Sequence, residues 1–338
     1  MDSSITLKTT NWNLLGHEWA VDMLKQHIAR EAVRHAYLFT GPPGAGRRTL
    51  ALQFAQALNC PQTTTPGEPC GTCRECKQFE NMQHPDLSVV QAEFEGGTLK
   101  VDQVREVRRT LILKPYQSKY RVAIFLRFQE ASEGAANALL KTLEEAPEHA
   151  VLILTADNAE GLLPTITSRC EILRLRPLPV DDIEAYLTAR GAEAEKAHLI
   201  AHVSGGRPGY ALHLLEDESG LEFRTERLDE LASLLSATRV KKFNYAEALV
   251  KDKESMRQTL LVWLSYWRDV LLRISGAQAS ITNVDREEGI ASLAKQLTLE
   301  RARRVVHEME SALERLDHNV NPRLLAEVLL LDLPETQK

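Results

Sequence analysis

Residues 41–49 read GPPGAGRRT, a glycine-rich turn directly after the apolar run 36–40 and directly before the helical pattern 50–55. Strand, turn and helix start, in that order, are the context in which backbone N–H groups wrap a phosphate. Gly41, Gly44 and Gly46 hold the glycine positions of such a P-loop. The side chains that make the loop catalytic are replaced. Arg47 stands where a lysine would reach the β- and γ-phosphates, and Arg48 where a Ser or Thr hydroxyl would hold Mg²⁺. A guanidinium is a longer, planar fork than an ammonium, and with no acceptor atom it cannot ligate a metal. Thr49 comes one position late, on a different side of the helix. The loop reads as a phosphate-binding frame whose chemistry has been removed; the sequence leaves open whether ATP is not bound at all or bound without hydrolysis.

A second cluster lies just downstream. Four of the five cysteines follow the pattern Cys60-x9-Cys70-x2-Cys73-x2-Cys76. Four thiolates at short spacings close a tetrahedral zinc site and leave no open position for catalysis. Pro69 and Gly71 supply the tight turns. The reading is structural zinc, standing in for a core that this polar excursion cannot build. With only Arg74 and Lys77 nearby, the module has little with which to hold nucleic acid.

The elements that must carry these groups alternate. A stretch from Trp12 to Arg34 opens irregularly and continues as an amphipathic helix, with Val21, Leu24, Ile28 and Ala32 near helical spacing. Apolar runs at 36–40, 86–90, 120–126, 151–155 and 171–174 read as strands, and helical patterns at 48–58, 101–113 and 132–145 lie between them. Helices alternating with apolar strands make a doubly wound parallel sheet, an α/β P-loop fold. At the tip of the 120–126 strand, where a working ATPase keeps acids for Mg²⁺ and the attacking water, stand Leu126 and Arg127. Glu130 is four residues past the expected acid and reads as a capping or surface residue. Arg105, Arg108 and Arg109 on the 101–113 helix read as a solvated face, with a DNA-facing role as the alternative. After Pro177-Leu178-Pro179 the pattern is helical throughout, with 205–209 (GGRPG) as a turn. The expected domains are a core over 1–176 with the cysteine module inserted at 60–76, a small helical lid over 177–218 and a helical domain over 219–338. The apolar runs 261–267 and 324–331 suit either the core of that last bundle or a surface for partner subunits.

Composition narrows the class. The 338 residues carry 41 Lys and Arg against 47 Asp and Glu, a net charge of −6, which argues against a whole-surface nucleic-acid glove. No apolar run approaches a membrane span. The N-terminus MDSSITLKTTNWNLLG has no charged-then-apolar leader, so a cytoplasmic protein is expected, in which clustered thiols point to metal rather than disulfides.

The P-loop, the four-cysteine insertion, AANALLKTLEEAP at 135–147, SRC at 168–170 and GGRPGYAL at 205–212 occur in that order. The set resembles the clamp-loader AAA+ subunits of bacterial DNA polymerase III, and most closely the delta-prime type, strongly over 16–215 and beyond that only in helical character. The resemblance implies a RecA-like core, a lid and a helical collar in a heteropentamer with delta and three gamma/tau motor subunits. That assembly would open the sliding clamp and place it on primed DNA. It implies that Arg169 of SRC, expected at the end of the 162–169 segment near the mouth of the sheet, is an arginine finger, reaching in trans to the γ-phosphate held by a neighbouring subunit, and that Arg207 matches the sensor-2 arginine of active relatives. Motor subunits keep the P-loop lysine and the strand-end acids; this chain lacks both, so the resemblance implies a non-hydrolysing stator. The alternatives are an active clamp-loader ATPase with rearranged ligands, against which Leu126 stands, and a zinc-dependent nucleic-acid-binding protein, which the acidic net charge disfavours.

Overall fold

The computed structural model describes residues 12–317 and 320–334; the N-terminal stretch read above for a leader falls, through residue 11, outside them. The chain packs as two compact units, Met1–Tyr186 with Gly206–Tyr210, and Leu187–Gly205 with Ala211–Lys338.

In the first unit, α1 (Glu18–Ala29) leads to β1 (Ala36–Thr40), and α2 (Arg47–Asn59) follows the glycine loop. Next come α3 (Arg74–Glu80), β2 (Leu87–Val90), α4 (Val101–Leu111), β3 (Arg121–Phe125), α5 (Glu133–Glu144), β4 (Ala150–Ala156), the single turn α6 (Pro164–Thr167) and β5 (Glu171–Arg174). The five strands form one parallel sheet in the order β2-β3-β4-β1-β5. Both faces are covered, which is why the strands read as unbroken apolar runs. The period of two sorts them: Tyr37, Phe39, Val122, Ile124, Val151 and Ile153 pack with Leu24, Leu50 and Phe54 of α1 and α2. The intervening Leu38, Phe125, Leu152 and Leu154 pack with Val104, Leu139 and Leu143 of α4 and α5. Ser132 caps α5, its hydroxyl accepting from the Ala135 N–H at 3.2 Å.

The helix expected within the stretch from Trp12 to Arg34 is shorter than the periodicity suggested. It begins only at Glu18, after Gly16 and His17 at positive φ, and ends at Ala29, leaving Ala32 exposed outside it.

The second unit is all helical. After α7 (Val180–Ala189), which begins in the first unit, come α8 (Ala194–Ser204), α9 (Pro208–Glu216), whose start through Tyr210 belongs to the first unit, α10 (Ser219–Leu235), α11 (Arg239–Leu249), α12 (Lys253–Ser275), α13 (Glu287–Gln296), α14 (Leu299–Asp317) and α15 (Pro322–Asp332). Trp263 and Trp267 of α12 are wholly buried in the bundle's core, beside Met309 of α14 and Leu330 of α15. Buried Asp269 accepts from the N–H groups of Thr282 and Asn283, and Arg224 forks onto Asp285 and reaches Asn283, fixing the link between α12 and α13. On α15 the apolar run divides: Leu325, Ala326, Leu329 and Leu330 face the core, while Leu324, Val328 and Leu331 are exposed. No helix among the described residues is long and apolar enough to cross a membrane.

Candidate functional site

β1 delivers the chain to Gly41, whose N–H meets the carbonyls of Ala156 and Asp157 at 3.3 and 3.1 Å and ties the loop to the end of β4. Gly44, at φ 84°, is in the left-handed region, and a Cβ there would lie 2.9 Å from the Tyr210 nitrogen. The Gly209 N–H donates to the Gly44 carbonyl at 2.8 Å. Gly46 stands before the first turn of α2. The loop therefore packs closely against 207–210, and this brings Arg207 to it, the guanidinium stacked 4.4 Å over the Tyr210 ring. Burial pulls the Arg207 guanidinium below its ordinary pKa.

The two arginines at the start of α2 part ways. Arg47 turns inward, is buried, and donates to Asp157 Oδ1 at 2.8 Å. Arg48 points outward and its guanidinium rests 3.2 Å from the Met82 sulfur; Thr49 is exposed. The basic side chain at the lysine position is thus answered by a carboxylate of its own chain. At the end of β3, Leu126 is buried and Arg127 takes a left-handed φ of 50°. Its N–H donates to Thr155 Oγ1 at 3.0 Å and its Nε to Glu130 Oε1 at 2.9 Å. Glu130, expected as a capping or surface acid, is neither. Its side chain is largely buried, and Oε1 also accepts from the Gly96 N–H at 2.9 Å, anchoring the 93–100 loop. The neighbouring Arg127 guanidinium and the Gly96 N–H, both held by Oε1, account for the difference.

Arg169 lies at the other end of the sheet. Parallel register pairs Glu171 with Tyr37, so Arg169 precedes β5 on the edge where β1 enters, not on the edge where β1 delivers the glycine loop. That corrects the expectation of a place near the mouth of the sheet. The register sets Arg169 level with His35, six residues before Gly41, about 20 Å at about 3.3 Å per residue, beyond an arginine's reach. Its NH1 donates to the Thr165 carbonyl at 2.8 Å and its NH2 to Glu144 Oε1 at 2.7 Å. The two side chains remain 35% and 51% exposed; pairs so exposed add about 0–1 kcal/mol to stability.

The four cysteines converge. One sulfur from each of Cys60, Cys70, Cys73 and Cys76 lies within 4.8 Å of the other three, and Cys70 and Cys76 are 3.9 Å apart. Zn–S bonds of about 2.3 Å at tetrahedral angles need sulfurs about 3.8 Å apart, so the donor set fits that ion. N–H groups of Cys70, Cys73 and Cys76 each donate to the preceding cysteine's sulfur at 3.3 Å. The N–H groups of Cys73 and Thr72 bring the Cys70 thiol down to about 6, whereas burial pushes Cys76 and Cys73 up. The module grips α2: Cys60 is its C-cap and Gln56 Nε2 donates to the Cys76 carbonyl at 2.8 Å. Trp12 holds the far loop through Gly67 O at 2.9 Å.

Family models described as DNA polymerase III, delta subunit, and DNA polymerase III, delta subunit, C terminal, match residues 16–179 and 219–335. DNA polymerase III subunit delta' of Pseudomonas aeruginosa is 30% identical over 283 residues, 82% of either chain. The chain belongs to the delta-prime family of DNA polymerase III subunits. The Bacillus subtilis delta' subunit is 29% identical over 317 residues, spanning 93% of this chain and 94% of its own. The tau subunit of the same organism is 27% identical over 96% of this chain, which spans 61% of tau.

Within this family member, the structure brings Gly41, Gly44, Gly46, Arg47 and Arg207 together and leaves Arg48 and Thr49 facing outward. It unites the four cysteines and sets Arg169 apart. Four residues escaped the sequence reading: Asp157, Thr155, Tyr210 and Glu144. Asp157, Thr155 and Glu144 act through partners distant in sequence, while Tyr210 stacks on Arg207 three residues before it; the one local signal was an acid immediately after a strand, at Asp157. His17 was missed as well. It is buried and neutral, its pKa lowered by burial, with the Ala45 backbone as partner and Nε2 unpaired among the described residues.

Proposed function

We propose that this chain is a non-hydrolysing stator of a clamp loader, which completes a ring with delta and gamma/tau motor subunits and lends Arg169 to the ATP site of its neighbour. The ring would place the sliding clamp on primed DNA. The observation that carries the reading is the separation of Arg169 from the chain's own glycine loop by the length of the sheet: a finger on that edge can serve only another molecule's phosphate. The Arg47–Asp157 pair and the apolar Leu126 support the other half, since neither a phosphate-seeking lysine nor a metal-holding acid is present. In the same reading the three-part division at 1–176, 177–218 and 219–338 corresponds to core, lid and collar, and the exposed Leu324, Val328 and Leu331 belong to the collar's contacts. The four cysteines hold a structural zinc, supplied with all four ligands from 60–76 and with no position for water. Its work is to fix the excursion onto α2.

The test is ATP turnover by the reconstituted complex, with clamp and primed DNA, carrying Arg169→Ala. Assembly should survive while DNA-stimulated turnover falls; unchanged turnover removes the finger. Turnover by the isolated chain with Mg²⁺ would remove the stator.

A further inference from the structure

The last residue of α5 is an acid, Glu144. A carboxylate there sits at the negative end of the helix dipole, where a cation is the favoured occupant. Helix stability therefore does not explain it, and neither does the ion pair it makes, which is too exposed to matter to the fold. What the pair does is orient a guanidinium. Arg169 has five N–H donors in a rigid fork. One donor of NH1 goes to the Thr165 carbonyl at 2.8 Å, and one of NH2 to Glu144 at 2.7 Å. The Thr165 carbonyl is within the four-residue α6 and also accepts from the Ser168 hydroxyl at 3.4 Å. NH1 also reaches Ser168 Oγ at 3.5 Å. Anchors on two different nitrogens fix both the plane and the direction of the fork, and among the described residues Nε–H and the second N–H of NH2 remain to be offered.

We propose that Glu144 is the positioning residue of the Arg169 finger, holding the guanidinium in a presented orientation before the neighbouring phosphate arrives. The proposal rests on the finger reading above. Without Glu144 the long side chain samples its other rotamers, and the geometry needed at the γ-phosphate has to be found at each turnover.

The experiment uses the reconstituted complex with clamp, primed DNA and ATP, comparing Glu144→Ala, Glu144→Gln, Arg169→Ala and the double variant Arg169→Ala/Glu144→Ala. Glu144→Ala is expected to lower kcat at the served site about three- to ten-fold with KM for ATP nearly unchanged. Glu144→Gln, which keeps an acceptor oxygen, should restore most of that loss. The double variant should match Arg169→Ala alone, because a positioning residue has nothing left to position. Wild-type or faster turnover in Glu144→Ala, or losses that simply multiply in the double variant, overturns the proposal. An Arg169→Ala complex with full turnover overturns the finger and Glu144 together, whereas a fall there with none in Glu144→Ala overturns Glu144 only. A melting temperature lowered alike in the Ala and Gln variants, with the kinetic pattern absent, would show a role confined to stability and overturn the proposal.

Discussion

Each edge of the sheet holds an arginine bonded to an acid of its own chain at nearly the same distance, 2.8 Å for Arg47–Asp157 and 2.7 Å for Arg169–Glu144. They differ in what surrounds them. The Arg47 side chain is 9% exposed, and a second internal pair, Arg127–Glu130, closes off the strand end beside it. Arg169 is 35% exposed and is anchored on the Thr165 carbonyl, Ser168 Oγ and Glu144, which leaves Nε–H and one N–H of NH2 without a partner among the described residues. A buried arginine with its own carboxylate is a structural group, since breaking the pair leaves the guanidinium charge buried without its partner. A half-exposed one can exchange or share its partner at little cost. By this measure the glycine-loop edge has turned inward and the opposite edge has kept a charge to offer.

The largest effect expected from this contrast is at Arg169. A finger in trans is worth about 10³-fold or more at the site it serves, so Arg169→Ala should nearly silence one ATP site of the complex, read as loss of DNA-stimulated turnover. Arg47→Ala should leave that turnover within about two-fold, as a residue that faces only its own chain. Equal losses in the two variants would erase the distinction between the edges.

Next in size is the cysteine module, which braces α2 and so the inward-turned edge. If the cysteines hold the proposed zinc, Cys76→Ser or a chelator is expected to cost about 2–4 kcal/mol of stability, a fall in Tm of about 5–15 °C. Metal content and calorimetry on one sample check both parts. A melt indifferent to chelator would detach the cysteines from the fold's stability.

Smaller again is Asp157→Ala. It leaves Arg47 buried without its carboxylate, and because Asp157 is 42% exposed the penalty is discounted to about 1–2 kcal/mol. Denaturant unfolding measures it. The same variant sharpens the comparison: titration with inorganic phosphate should show tighter binding than wild type, since an anion can then replace the lost carboxylate. Weaker binding would mean that Asp157 shapes the loop rather than occupying it.

How legible this was depended on distance along the chain. The sheet was readable because strands buried on both faces leave unbroken apolar runs, as at 150–156, where every residue is buried. The cysteine cluster was readable because its ligands lie within one short excursion. The glycine loop announced itself by local spacing, as did the loss of its chemistry. The partners of the arginines were not readable: Asp157 is 110 residues from Arg47 and Glu144 is 25 from Arg169, and only the parallel crossovers bring each pair together. The edge on which Arg169 sits follows from strand direction, which a motif does not carry. The start of α1 was obscured because apolar Trp12 and Leu14 belong to the core without being helical.

The smallest effect concerns the stiffness of the edge that Arg169 shares with the starts of β2 and β3. His84 is buried there, stacked 4.2 Å from the Phe79 ring, with Nδ1 accepting from the Asp86 N–H at 3.0 Å. Nε2 lies 3.3 Å from Ser118 Oγ. Burial lowers the His84 pKa, against the pull of Asp86 and Glu75. Burial alone would raise Asp86, but the N–H groups of Gln117, Tyr116 and Ser118, with Arg121, outweigh it and hold the carboxyl below its usual range. The two groups therefore act in different windows. A histidine whose folded pKa is depressed stabilises fully above its unfolded value of about 6.5, and that contribution is lost as pH falls below it, because the unfolded chain takes up the proton first. Asp86 keeps its contribution until pH falls below about 3.8 toward its depressed folded value. Between pH 7 and 5.5 the melting temperature of the wild type should therefore fall more steeply than that of His84→Gln, while no part of the difference comes from Asp86. Parallel slopes would show that His84 takes up its proton without disturbing this edge.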